Sequence, residues 1–106
     1  MNERIIVINP NSTTAVTADI DSALDVLRVD TGVEFECLTL DEGPPGIETQ
    51  THVDSVVMPQ CRLIKSCDNR ASAFVIACFS DPGIHAAREA TAKPVLGIAE
   101  CGLLTA

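Results

Sequence analysis

Cys78 is the side chain best placed for chemistry, because it follows an apolar run and precedes residues that start a helix. Residues 73–79 (AFVIACF) are nearly all apolar and bounded by turn formers, the pattern of a strand covered on both faces in a parallel sheet. After Ser80, Asp81 suits a helix cap, Pro82 the first helical position, and residues 84–91 (IHAAREAT) favour helix. Where a strand gives way to a helix, unpaired N–H groups and the helix dipole favour a thiolate, which is both base and nucleophile. The plainer alternative is a cysteine that packs as a small hydrophobe. A second polar group, Asn9, Asn11, Ser12 and Thr13, offers amide and hydroxyl donors suited to a carboxylate or imide oxygen. Taken singly, each of these is also an ordinary capping residue.

The remaining elements must bring these groups together. Residues 4–8 (RIIVI) read as a buried first strand that ends in the polar loop 9–13. Over residues 14–29, Val16, Ile20, Ala23, Leu24 and Leu27 recur at helical spacing. Residues 33–40 (VEFECLTL) alternate apolar with polar, which predicts an edge strand with one face partly wet. The double proline in residues 41–46 makes a stiff loop. Residues 49–65 predict a helix kinked or divided by Pro59, and residues 95–99 (VLGIA) a fourth strand, with another loop and helix starting over 100–106. The order β-α-β-α-β-α-β with right-handed crossovers gives a single α/β domain over residues 1–106, a flavodoxin-like open parallel sheet in strand order 2-1-3-4. Ligands of such sheets bind where the winding reverses, here between strands one and three. The loops meeting there carry Asn9 to Thr13 and Cys78 to Gly83, so the thiol falls beside two asparagines.

Composition narrows the function. A formal net charge of −8 without clustered Lys or Arg argues against nucleic acid and against an anionic membrane surface. The apolar start is too short for a signal peptide or a membrane span, so the chain reads as cytoplasmic. Five cysteines, an odd number with no C-x-x-C pair, suit reduced thiols better than a disulfide framework or a zinc site. Neither a G-x-G-x-x-G nor a P-loop pattern occurs, leaving nucleotide binding unsupported. His52 and His85 lie on predicted helices and are expected at the surface; Cys61 and Cys67 read as packing or surface positions, and Cys101 as filler.

Four segments, each at a strand end, together resemble a known family: Ile8-Asn9-Pro10-Asn11-Ser12, Gly43-Pro44-Pro45-Gly46-Ile47-Glu48, Ala77-Cys78-Phe79-Ser80-Asp81-Pro82-Gly83 and Gly97-Ile98-Ala99-Glu100. In this order they resemble the hydantoin and allantoin racemase branch of the aspartate/glutamate racemase superfamily. That resemblance implies cofactor-independent inversion at a carbon next to a carbonyl, with one cysteine thiolate removing the proton and a second cysteine returning one on the opposite face. By this matching Cys78 is the first of the two bases. Asn11 and the backbone at Phe79 and Ser80 would hold the oxygens of a small-molecule substrate, a hydantoin, allantoin or related amino-acid derivative, and Asn9 and Glu100 are further contacts. Family members comprise two such α/β halves, and the second cysteine belongs to the second half. The resemblance therefore implies that this chain is a first half, needing self-association or a complementary half. From the residues alone, a non-catalytic binding or assembly module with a structural or redox-sensitive thiol is the other reading.

Overall fold

Four short strands, β1 (Arg4–Asn9), β2 (Glu34–Thr39), β3 (Ala73–Ile76) and β4 (Val95–Gly97), form one parallel sheet in the order β2-β1-β3-β4 in the computed structural model, which describes residues 3–105. Ile8 stands opposite Leu38 on one side and Ile76 on the other, and Ile76 opposite Gly97. The strand order is the one read from the sequence. Ala106, the last residue of the helix expected near the C-terminal end, lies outside the described residues, as do residues 1 and 2 of the expected 1–106 domain.

One face of the sheet holds the core. Ile6, Ile8, Phe74, Ile76 and Val95 project there, because alternate residues of neighbouring strands share a face, and they pack with Ile64 and Cys67 of α4 (Val57–Cys67) and Ile84 and Ala87 of α5 (Ile84–Ala90). The other face is covered mainly beside β2 and β1, by α1 (Thr14–Ala23) and α2 (Asp25–Thr31). There Val7, Val75, Phe35, Ile20, Leu27 and Ile98 line an apolar hollow of about 380 Å³. Leu96 of β4 remains 43% exposed on the same face.

Two helical stretches are divided, for different reasons. The helix expected over 14–29 breaks at Leu24 and resumes as α2, where the Arg28 guanidinium donates to the Asp21 carbonyl at 2.7 Å, the Asp25 carboxylate at 2.8 Å and the Phe35 carbonyl at 2.9 Å. Arg28 thereby fastens the break to β2, and Gly32, at φ 70°, closes α2 in the left-handed conformation that glycine tolerates. The expected 49–65 helix becomes α3 (Gln50–Ser55) and α4, so the division foreseen from Pro59 occurs, but at Val56. Pro59 then falls in the first turn of α4, where a missing N–H removes no intrahelical bond.

His52 departs from the expectation of a surface residue. It is half-buried because it completes a reciprocal cap: its N–H donates to Thr49 Oγ1 at 3.1 Å, while its Nδ1 accepts the Glu48 N–H at 3.0 Å. His85 is exposed as expected. Strand β3 ends at Ile76 and β4 at Gly97, each shorter than its apolar run, and β4 passes directly into α6 (Ile98–Thr105). No helix among the described residues is long and apolar enough to cross a membrane.

Candidate active site

At the C-terminal end of the sheet the Ala77 N–H donates to the Ile8 carbonyl at 2.9 Å, so the chain leaving β3 starts its loop against the end of β1. Cys78 follows at once and is half-buried, with its Sγ 3.4 Å from Ser80 Oγ. The Asp81 N–H donates to the Cys78 carbonyl at 3.0 Å and closes a tight turn around the thiol. Phe79 at the tip is 84% exposed, and Ser80 is exposed beside it. Within the described residues no hydrogen bond takes the N–H of either residue, so two backbone donors adjoin the sulfur.

The helix after this turn begins later than the sequence suggests. Asp81 and Pro82 do not cap and open it; the cap position is Gly83, at φ 66°, and the first helical residue is Ile84. Asp81 takes a left-handed conformation, φ 45°, which sends its carboxylate to α6, where it accepts the Ala99 N–H at 2.9 Å and the Glu100 N–H at 2.7 Å. It caps a helix eighteen residues away in sequence. The thiol is thus separated from the start of α5 by a complete turn, and the junction differs from the direct strand-to-helix passage expected. Behind the loop, the fully buried Gln60 of α4 donates from Nε2 to the Pro82 carbonyl at 2.8 Å.

The asparagine loop divides its work between its two amides. Asn9 is 1% exposed. Its Nδ2 donates to Asn11 Oδ1 at 2.9 Å, to buried Thr17 Oγ1 at 3.0 Å and to the Thr13 carbonyl at 3.3 Å, while its Oδ1 accepts the Asn11 N–H at 3.2 Å. Thr17 Oγ1 in turn lies 2.7 Å from Thr39 Oγ1 of β2. Asn9 therefore builds the loop. Asn11 Oδ1 is fixed by two donors, Asn9 Nδ2 and the Thr13 N–H at 2.9 Å, which leaves the Asn11 NH2 without a partner among the described residues. A third loop joins from β2: the Pro44 carbonyl accepts the Ser12 N–H at 2.9 Å and the Pro45 carbonyl accepts Thr13 Oγ1 at 2.7 Å. Gly43 permits that contact, since a Cβ there would stand 2.3 Å from the Pro10 carbonyl oxygen.

Glu100 is differently employed. Its two carboxylate oxygens lie 2.5 and 3.3 Å from the Arg88 guanidinium, which also donates to the Val95 carbonyl. Arg88 holds that carboxyl below its usual range, and the Glu100 N–H already serves Asp81. The structure thus gathers Cys78, Phe79, Ser80, Asn9 and Asn11 on the adjoining ends of β1 and β3, while the Glu100 side chain turns to α5. Gln60 and Thr17 are site-building residues that sequence reasoning did not single out, and Asp81, expected to cap the helix that follows it, caps α6 instead across Gly97.

The other cysteines differ in environment. Cys61 and Cys67 are buried, and Cys37 and Cys101 half-buried, with no disulfide among the described residues. Burial, helped by the Asp21 carboxylate, pushes the Cys37 thiol up to about 11, and burial raises Cys67 as well. Only the thiolate alkylates, so Cys37 is expected to react more slowly with iodoacetamide near neutral pH than an ordinary exposed thiol. Peptide mapping across a pH series is expected to show Cys37 labelling still rising with pH up to about 11.

A concavity of about 740 Å³ lies at the opposite end of the strands, among Arg4, Arg28, Glu34, Phe35, Glu36 and Arg70. Its charges are mutually satisfied: Arg4 pairs with Glu34 at 3.0 Å, and Arg70 with Glu36 at 2.7 Å, which holds the Glu36 carboxyl below its usual range. It carries no nucleophile, and open α/β sheets bind ligands at the carboxyl ends of their strands. Among the described residues no group of three or more His, Cys, Asp or Glu is arranged to hold a metal ion.

A family model described as Asp/Glu/Hydantoin racemase matches residues 5–106. The chain belongs to that family. This family member is 41% identical over 106 residues to a hydantoin racemase of Pseudomonas sp. (strain NS671), the match covering 97% of this chain and 41% of the relative. It is 36% identical to a hydantoin racemase of Paenarthrobacter aurescens, over 94% of this chain and 43% of the relative. Among solved structures, the allantoin racemase from Klebsiella pneumoniae superposes with a TM-score of 0.91 at 34% identity, covering 99% of this chain and 43% of that chain. The chain thus spans about two fifths of the length of the relatives it matches.

Proposed function

We propose that this chain forms one α/β half of a cofactor-independent racemase that acts on a hydantoin, allantoin or related amino-acid derivative, with Cys78 as one of its two bases. The observation that carries this reading is the half-buried Cys78 at the reversal of winding, adjoined by the unused N–H groups of Phe79 and Ser80. In the reaction the Cys78 thiolate takes the proton from the carbon next to the substrate carbonyl and becomes a thiol. The electron pair left on carbon spreads onto the carbonyl oxygen as an enolate, and the Phe79 and Ser80 N–H groups and the Asn11 NH2 are donors suited to that developing charge. Inversion requires a second acid on the opposite face, because a single base returning its own proton regenerates the starting enantiomer. In this reading a second copy of the chain or a complementary half supplies that acid. The length of the relatives and the part-covered sheet face at Leu96 support a complementary half. A mechanism on a reduced thiol suits a cytoplasmic setting.

Protection from alkylation tests the reading. With iodoacetamide near neutral pH, 5-substituted hydantoins or allantoin are expected to slow labelling of Cys78 and leave Cys61 and Cys101 unchanged. Uniform labelling of the thiols, insensitive to every member of that panel, would overturn it.

A further inference from the structure

The loop that carries Cys78 is held by a residue to which neither the family matching nor the proposed reaction gives a part. Asp81 is the sole residue other than glycine with positive φ among the described residues, and a left-handed aspartate is retained where its surroundings fix it. Its N–H closes the turn on the Cys78 carbonyl, while both of its carboxylate oxygens are spent on the first turn of α6, at Ala99 and Glu100. The room for that reach comes from Gly97, where a Cβ would stand 2.3 Å from the Asp81 carboxylate carbon and from one of its oxygens. Gln60 grips the next carbonyl of the loop from the core side, so the segment is held from both faces of the sheet.

We propose that Asp81 is a positioning residue for Cys78, tying the thiol-bearing turn to the first turn of α6 through space that Gly97 leaves open. The functional importance of this tie rests on the reading of Cys78 as the reacting thiol, but the tie itself is tested without any substrate. Because the carboxylate occupies the α6 amides, those amides are not left for a substrate anion, which directs substrate oxygens to Asn11, Phe79 and Ser80.

The test is the pH profile of Cys78 alkylation by iodoacetamide, mapped by mass spectrometry in the parent chain and in Asp81→Asn, Asp81→Ala, Gly97→Ala and the Asp81→Ala/Gly97→Ala double variant, with circular dichroism as the check on folding. Asp81→Ala and Gly97→Ala are each expected to change the Cys78 rate by about fivefold or more and to displace its pH profile in the same direction. Asp81→Asn keeps one acceptor oxygen and is expected to lie between them and the parent. The double variant is expected to be no worse than Asp81→Ala, because removing the carboxylate makes room for the added methyl. Labelling of buried Cys67 stays unchanged if the effect is local. A Cys78 profile in Asp81→Asn and Gly97→Ala that superimposes on the parent's would overturn the proposal, and so would a change that Cys67 shares equally, which signals general loosening. These two variants carry the test if Asp81→Ala does not fold. Hydantoin protection of Cys78 in the parent chain reports separately on the underlying reading, so the two can fail independently.

Discussion

Phe74→Ala is expected to remove a large part of the chain's stability at room temperature. Phe74 is 0% exposed at the centre of the covered face, opposite Ile6 on one side and Val95 on the other. Removing a buried phenylalanine costs about 3–5 kcal/mol in lost transfer energy and residual cavity. A domain of this size holds roughly 5–15 kcal/mol in total. The remaining phenylalanines offer little compensation, since Phe35 is half-buried in β2 and Phe79 projects from a loop. Urea denaturation followed by circular dichroism is expected to show the midpoint lowered by roughly 2 M or the folded baseline lost. A shift of less than about 0.5 M would show that the core is not built around this ring.

Asn9→Leu is expected to damage stability first and the site with it. The substitution keeps the branched shape but deletes an amide that satisfies four groups: Asn11 Oδ1, the Thr13 carbonyl, Thr17 Oγ1 and the Asn11 N–H. Thr17 retains Thr39 as a partner, but the loop groups lose their common anchor in a space that is 1% exposed at Asn9. Stranding buried polar groups costs about 1–3 kcal/mol each where water cannot reach them, and an overall loss of about 3 kcal/mol is expected. Asn11→Ala is expected to cost less stability than Asn9→Leu, because Asn9 Nδ2 keeps the Thr13 carbonyl and Thr17 Oγ1 as partners, while weakening hydantoin protection of Cys78 more. Paired denaturation and protection measurements on the two variants separate the residue that builds the loop from the one with a donor to spare. Equal effects in both assays would contradict that division.

The sheet order was legible because it rests on local signals, apolar runs cut by Asn-Pro-Asn, by Pro-Pro and by Asp-Pro-Gly, joined by crossovers of fixed hand. The meeting of residues 9–13 with the Cys78 turn followed from that order alone. What escaped was long-range. Asp81 has the composition of a local cap, and nothing in its neighbours reveals that its carboxylate serves Ala99 and Glu100; the one available hint was a glycine at position 97, where a strand would favour a side chain. Gln60 sits in a helical pattern like any polar surface residue, yet it is fully buried beneath Pro82. Glu100 was read from its place at a strand end, which fixed its backbone but left its side chain open to Arg88, twelve residues earlier. The break at Leu24 likewise involves a long-range contact, Arg28 to the Phe35 carbonyl, whereas the break at Val56 was announced by Pro59 three residues later.

Proton exchange tests the role of Cys78 most directly, because exchange needs one base whereas inversion needs two. In D2O, proton NMR of a panel of 5-substituted hydantoins and allantoin follows loss of the signal from the carbon-bound proton next to the carbonyl, with the buffer rate subtracted. The expected result is loss above that rate with the parent chain and none with Cys78→Ala. Exchange at the buffer rate from a sample shown to be folded, or equal exchange from the parent and the variant, would contradict the assignment of Cys78 as the base.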